Sequence, residues 1–378
     1  MAKKKKAKIR ASFRKNRQVR ARGGDLTRQY EPCNFDEDSL IRQERISGKG
    51  DLTRKRTVIG EEVESLNTGF EVLPEVDLDV CRPGRVIRVQ GLISLVEDDD
   101  GGVRRCAVRR LLKTLSTDQR HVVAAGDRVL FRPEGNEEGI IERIEPRRGV
   151  LSRTSRGRQH IIVTNVDQML IVASAAQPDL KPHLIDRFLV TAEQVGIRPV
   201  ICINKIDLVD AAALQPVIGV YSQMGYEVLQ LSAETGINLD QLKKRLGGQE
   251  TVVSGQSGVG KSSLLNAVDP KLNLRTAAVS KETEKGRHTT TTAALLSLSF
   301  GGYVVDTPGI RQFQLWDVIA EEVAGLFRDL RPYVNHCLFP NCTHTHETEC
   351  AVKDAVADGR LDLRRYDSYC HMFAGEAV

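Results

Sequence analysis

No stretch of this chain approaches the roughly 18 consecutive apolar residues that a membrane-spanning helix needs. The longest apolar candidate, around Met169 to Ala176, is short and reads as a buried strand. An apolar N-terminal segment of the kind that directs secretion is also missing, so a soluble, cytoplasmic protein with no membrane partner is expected. The eight cysteines are not spread as a disulfide framework. Four of them, Cys337, Cys342, Cys350 and Cys370, bunch near the C-terminus and the others are scattered, which suits a metal site in a reducing compartment. Residues 1–22 contain no acid, against eleven lysines and arginines, so the net charge of +5 understates how basic that end is. Such a block repels itself and favours a polyanion as partner. It is rich in lysine without a clear amphipathic pattern, unlike a mitochondrial presequence. Residues 1–80 have few apolar positions and no sustained period, and are expected to form a largely disordered arm. Within them Gly-Asp-Leu-Thr-Arg occurs at 24–28 and again at 50–54, too few copies for a repeat architecture.

What is present supports several domains: 378 residues at 40% hydrophobic content. From Gly84 onward short alternating runs appear at Arg85 to Gln90, Val103 to Val108, Arg128 to Phe131 and Ile140 to Ile144. Ile87 and Val89 point one way, Arg88 and Gln90 the other, as in a half-buried strand. Several such strands punctuated by glycines predict a small OB-type β-barrel, a common nucleic-acid platform. Arg147, Arg148, Arg153, Arg156 and Arg158 follow as a basic linker expected to touch RNA phosphates.

From Val166 the pattern becomes α/β. Apolar strands at Gln168 to Ala173, Pro199 to Ile203, Tyr226 to Leu231, Thr251 to Ser254 and Tyr303 to Val305 alternate with helical stretches such as His183 to Val195 and Asn238 to Leu246. A doubly wound parallel sheet is expected, with ligands at the carboxyl ends of its strands. Gly255, Gln256, Ser257, Gly258, Val259, Gly260, Lys261 and Ser262 match the phosphate-loop pattern GxxxxGK[ST], and Ser263 continues into the helix. Glycines let successive backbone N–H groups face an anionic phosphate chain, at a helix start that adds partial positive charge. Lys261 is expected to bridge the terminal phosphates and Ser262 to hold Mg²⁺.

Asn204, Lys205, Ile206 and Asp207 follow one strand, and Ser232 and Ala233 another. A carboxylate at Asp207 accepts from both guanine N1–H and the N2 amino group, which adenine cannot satisfy. Asn204 is expected to complete the loop around the base, Lys205 to pack its stem over the ring, and the Ala233 backbone to donate to guanine O6. Downstream, Gly286 to Thr292 (GRHTTTT) and Asp306-Thr-Pro-Gly309 read as two switch loops. Asp306 suits a Mg²⁺ site through water, the Gly309 N–H the γ-phosphate, and Thr290, or else Thr289, closes over the metal. Ile310 stands where a Ras-like enzyme has a water-positioning glutamine, so slow intrinsic turnover is expected. His288 is the candidate within the chain to complete the site, the alternative being a loop anchor.

The guanine motifs precede the phosphate loop and switches, the reverse of the ordinary order, so the expected GTPase is circularly permuted. Near the C-terminus Cys337, Cys342, His344 and Cys350 could form a tetrahedral Cys₃His zinc site, with His346 or Cys370 as substitutes, pinning helices at Val318 to Leu330, Ala351 to Ala357 and Leu361 to His371.

These motifs, in this order, with the GRHTTT run and the cysteine cluster, resemble the RsgA (YjeQ) family of circularly permuted, ribosome-associated GTPases over about residues 84–375. The resemblance selects His344 as the fourth zinc ligand and favours His288 in hydrolysis. It implies GTP and GDP as ligands, Mg²⁺ and Zn²⁺ as metals, and hydrolysis stimulated by the small (30S) ribosomal subunit and its rRNA during late assembly. A monomer is expected, divided as arm 1–80, OB-fold RNA-binding domain 81–150, permuted GTPase 151–315 and zinc-binding helical domain 316–378. Two other functions fit the same motifs: a permuted GTPase of large-subunit assembly, and a GTP-gated RNA-binding scaffold with negligible turnover.

Overall fold

A computed structural model describes residues 7–12, 55–62, 72–115, 122–155, 158–274, 293–306 and 318–375. Within the stretch expected to be a largely disordered arm, β1 (Ala7–Ser12), β2 (Lys55–Glu62) and β3 (Val72–Pro74) form a three-stranded antiparallel sheet. The β-branched run Thr57-Val58-Ile59 favours extended backbone, but its partner lies far away in sequence, where local composition gives no sign of it.

The barrel comprises β4 (Arg82–Gln90), β5 (Ile93–Asp98), β6 (Val103–Val108), β7 (Arg128–Glu134) and β8 (Glu138–Ile144), with helix α1 (Arg110–Leu115) after β6. β4 pairs with both β5 and β7, so the sheet closes on itself without an edge. Val86, Val96, Cys106, Phe131 and Ile141 fill the interior and Leu112 of α1 covers it. β5 escaped the sequence pattern because the residues it turns inward are Ser94, Val96 and Asp98, while Ile93 and Leu95 are only half-buried.

The expected basic linker is instead a hairpin of β9 (Leu151–Ser155) and β10 (Arg158–Val163). Arg147, expected to meet RNA, is buried: its Nε and Nη2 each lie 2.7 Å from the Asp127 carboxylate, and Nη2 also donates to Val122 O. Thr164 donates to the same carboxylate at 2.7 Å, so this arginine welds the barrel to the segment entering the next domain.

The α/β sheet runs β11 (Gln168–Ser174), β12 (Arg198–Asn204), β13 (Glu227–Gln230), β14 (Glu250–Ser254), β15 (Ala294–Ser297) and β16 (Tyr303–Asp306), in spatial order β13-β12-β11-β14-β16-β15. Neighbours are parallel except at β15. Every residue of β11 and β14 is buried, as a strand covered on both faces requires. Helices α2 (Pro182–Val195) and α3 (Ala211–Gln223) pack on one face through Ile185, Leu189, Leu214 and Tyr221. Helices α4 (Leu239–Leu246) and α5 (Lys261–Val268) pack on the other through Leu242, Leu246, Leu264 and Leu265. β15 also pairs with the barrel at Ala294 and Arg88, making the two domains one continuous sheet.

The C-terminal helices are α6 (Ala320–Leu326), α7 (Arg331–Val334), α8 (Ala351–Ala357) and α9 (Leu363–Phe373), packed around Phe327, Leu330, Val352 and Tyr369. The helix expected to reach Leu330 stops at Leu326, because Phe327 turns to extended angles and buries its ring. Arg365 of α9, 2% exposed, docks this domain on α2: it pairs with Asp186, makes two 2.9 Å bonds to Asp329, and lies over the Phe327 ring. Tyr221 of α3 donates to Asp186 at 2.8 Å.

Candidate nucleotide site and metal cluster

β14 and β11 lie side by side, yet the chain leaves them in opposite directions, towards β16 and β12 respectively. Such a switch point opens a crevice at the carboxyl end of the sheet. The loop from Gly255 to Gly260 lies there, between the end of β14 and the start of α5. Two of its glycines are required by space. A Cβ on Gly255, at φ +143°, would fall 2.1 Å from Val172 O, and one on Gly260, at φ +93°, would fall 2.5 Å from Asn204 Nδ2. The loop lies too tight against its neighbours for side chains there, which leaves backbone N–H groups to face a ligand. Lys261 Nζ donates to Gly255 O and Gln256 O, 2.7 Å each, so its ammonium arches over the loop. Gln256, Lys261 and Ser262 are half-buried; Ser257, Gly258 and Ser263 are exposed; Val259 is buried in the core. This glycine cradle with a cation above it fits a polyphosphate.

The guanine motif reaches the same crevice from β12. Asn204 is 1% exposed and both polar ends of its side chain are engaged: Nδ2 donates to Val259 O at 2.9 Å, and Oδ1 accepts from Ala233 N at 3.2 Å. One carboxamide thus holds three loops together. The Ala233 N–H that the sequence assigns to guanine O6 is spent on this contact. Lys205, at φ +62°, donates to Gly258 O at 2.9 Å and to Gln177 O, laying its stem along the phosphate loop. Ile206 is half-buried, and Asp207 is exposed in a short turn, Ile206–Leu208. Ser232 is buried and its Oγ accepts from Thr235 N, fixing the turn in which Ala233 lies. Beside the loop a small, partly open pocket is lined by Ser174, Asp179, Lys181, Ile185, Gly255 and Gln256. Its acid and lysine belong to no motif, which is why spacing did not single them out.

Asp306 closes β16, one step beyond the pair Val252 and Val305, so its backbone is level with Val253, two residues before the phosphate loop. His288, Thr289, Thr290, Gly309 and Ile310 lie outside the described residues.

In the C-terminal domain the ligand atoms of Cys337, Cys342, His344 and Cys350 all lie within 4.8 Å of one another. Cys337 Sγ and Cys350 Sγ are 3.8 Å apart, and they stand 3.3 and 3.5 Å from His344 Nδ1. Tetrahedral zinc with Zn–S near 2.3 Å requires S···S separations of about 3.8 Å, so the donor set fits that ion. Burial pushes the His344 pKa down, which keeps its imidazole neutral and able to ligate. The loop is braced from outside: Tyr366 donates to His344 O, Tyr369 to Thr343 O, and Glu347 accepts from the Thr343 and Thr345 N–H groups. His346 is exposed, on the outside of the cluster, and Cys370 is not part of it.

The family model described as RsgA GTPase matches residues 144–316. A protein of Chlorobaculum parvum named small ribosomal subunit biogenesis GTPase RsgA is 39% identical over 298 residues, covering 76% of this chain and 95% of its own. One of the same name from Thermotoga maritima is 38% identical over 300 residues, covering 78% and 97%. The chain belongs to the RsgA GTPase family. The crystal structure of YjeQ from Thermotoga maritima superposes with a TM-score of 0.65 at 36% identity, over 78% of this chain and 98% of that one. That of YloQ, described as a circularly permuted GTPase, gives 0.62 at 31%, over 80% and 97%. The architecture is therefore an OB-like barrel, a circularly permuted phosphate-loop GTPase fold and a small helical domain carrying a Cys₃His cluster. No described helix is long and apolar enough to cross a membrane.

Proposed function

We propose that this chain is a GTP hydrolase that binds the small (30S) ribosomal subunit through its rRNA and couples GTP hydrolysis to late maturation of that subunit and to its own release. One observation carries the proposal: Asn204 ties a guanine-reading loop to a phosphate loop at the carboxyl end of one sheet, in a chain whose relatives are named small ribosomal subunit biogenesis GTPases. It acts as a monomer in the cytoplasm, with the arm 1–80, barrel 81–150, GTPase 151–315 and zinc domain 316–378 as its working parts.

In this mechanism Asp207 reads the guanine edge, with Asn204, Lys205, Ile206, Ser232 and Ala233 shaping the base pocket. The backbone of Gly255 to Ser263 cradles the phosphates. Lys261 leaves the loop carbonyls it now contacts and neutralises charge gathering on the transferred phosphoryl group as water attacks in line. Ser262, Thr290 and Asp306 would hold Mg²⁺, which would supply electrostatic stabilisation of the transferred phosphoryl group. Gly309 donates its N–H to the γ-phosphate, and His288 completes the site around the water once the ribosomal partner is bound. Cys337, Cys342, His344 and Cys350 would hold Zn²⁺ in a structural role.

Phosphate release is to be measured with no subunits, purified small subunits or purified large subunits. Small subunits alone should raise turnover at least about tenfold, a barrier change near 1.4 kcal/mol. The Asp207→Asn variant should lose preference for GTP over ATP. Equal stimulation by large subunits, or turnover indifferent to either, would overturn the ribosomal assignment; unchanged base preference in Asp207→Asn would overturn the guanine pocket.

A further inference from the structure

The barrel meets the GTPase sheet at two levels, at the Ala294–Arg88 pair beside Asp306 and at the end opposite the nucleotide crevice, and the side-chain contacts at that far end single out two strands. Glu250, the first residue of β14, is 3% exposed; its Oε1 lies 2.9 Å from Arg85 Nη2 of β4 and 3.6 Å from Arg128 Nη2 of β7. Tyr303, the first residue of β16, donates to Glu97 Oε2 of β5 at 2.8 Å, and Arg85 also lies over its ring, 4.6 Å from the centroid. Arg85 therefore touches the base of both strands. At their other ends β14 opens into the phosphate loop and β16 delivers Asp306. Arg85 faces the neighbouring domain, and Arg88 supplies the backbone pair to Ala294 of β15.

A charge buried this deeply is costly unless its partners stay in place, so an ion pair here resists any sliding of the barrel over the sheet. β14 is a stiff lever. Of its five buried residues four pair with β11 and three with β16, and the run spans about 17 Å from Glu250 to Gly255. A barrel displaced by a bound partner must carry Glu250 and Tyr303 with it or break the joint.

We propose that Glu250 and Tyr303 are positioning residues: through Arg85 and Glu97 they carry displacement of the partner-loaded barrel along β14 and β16 to the phosphate loop and Asp306, and so set the size of the subunit-stimulated rate. This rests on the ribosomal reading above. Neither side chain reaches the nucleotide, so both act through the strands they begin. The joint is a continuous chain of contacts, and its coupling is a quantity that variants measure.

Glu250→Gln keeps the shape and removes the charge; Tyr303→Phe keeps the ring beneath Arg85 and removes the hydroxyl. For each single variant and the double, three quantities are to be measured on the full chain: GTP turnover without subunits, co-sedimentation with small subunits, and turnover at saturating small subunits. Intrinsic turnover and co-sedimentation should stay within about twofold of wild type while stimulated turnover falls about tenfold. The double variant should lose no more than the stronger single one, because both act through one joint. Stimulation equal to wild type in both single variants overturns the proposal. So does a loss of intrinsic turnover as large as the loss of stimulated turnover, which would mark general damage to the fold. Wild-type protein that small subunits fail to stimulate overturns the ribosomal reading itself, and that arm is read before any variant.

Discussion

Arginine shows how differently one side chain is used along this chain. Arg147 and Arg148 are adjacent and look alike in sequence, yet Arg147 is buried on Asp127 while Arg148 is exposed. Removing one partner of a buried pair strands the other, so Arg147→Ala should cost about 3–5 kcal/mol, whereas Arg148→Ala should stay within about 0.5 kcal/mol. Urea unfolding midpoints of the two variants make the comparison, and equal midpoints would remove the structural role given to Arg147. Asn204 makes the same point within a motif. The tetrapeptide marks it as a nucleotide residue, but its two hydrogen bonds go to Val259 and Ala233 of the protein. Its value lies in holding loops that approach from three different strands.

Among the elements, β14 joins both functions: its carboxyl end opens into the phosphate cradle and its amino end carries Glu250. Burial pushes the Glu250 carboxyl up from 4.5 to about 7, against the pull of Arg85 and Arg128, with Asp167 adding to the upward push. The folded chain then holds a proton that the unfolded chain releases between about pH 4.5 and 7. This site's contribution to stability is present in full at the acid end of that window and is lost as pH rises through it. Glu250→Gln cannot titrate. The stability of Glu250→Gln minus that of wild type should therefore grow as pH rises across the window and stay level above it, as read from urea unfolding at a series of pH values. A difference independent of pH would show that Glu250 stays ionised throughout. β15 and α3 illustrate how elements escape a pattern. β15 has only four residues, and α3 buries just Leu214 and Tyr221 of its thirteen, too thin an apolar stripe to mark a helix by period.

At the scale of the whole molecule, the C-terminal domain is held twice, once by its Cys₃His cluster and once by Arg365 in its bed of Asp186 and Asp329. The cluster shapes the domain; the arginine docks it. Metal binding and folding are one process in domains this small. A strong zinc chelator should therefore abolish the near-ultraviolet signal of Tyr333, Tyr366 and Tyr369, which pack in that domain's core, while GTP affinity changes by less than about threefold, since no cluster ligand lies at the nucleotide crevice. Loss of GTP binding in step with the tyrosine signal would mean that the GTPase sheet depends on the metal as well. The permutation makes this arrangement possible. With the guanine motifs first and β16 last, the helices that dock on α2 follow the final strand of the sheet in chain order.

Chemistry that depends on short-range spacing was legible in the sequence. The phosphate loop, the guanine loop and the cysteine cluster each carry their ligands within about fifteen positions; their order along the chain was enough to reveal the permutation, and the alternation of apolar strands with helical stretches was enough to predict a parallel sheet. Register and neighbours were not legible, because they depend on residues brought together from far apart. Nothing near Arg147 indicates Asp127, nothing near Glu250 indicates Arg85, and the inward face of β5 is decided by closure of the barrel. Local composition sets what each segment can do; whether a charge meets solvent, RNA or a buried carboxylate is settled only when the strands have found their partners, since burial and pairing are properties of the folded neighbourhood.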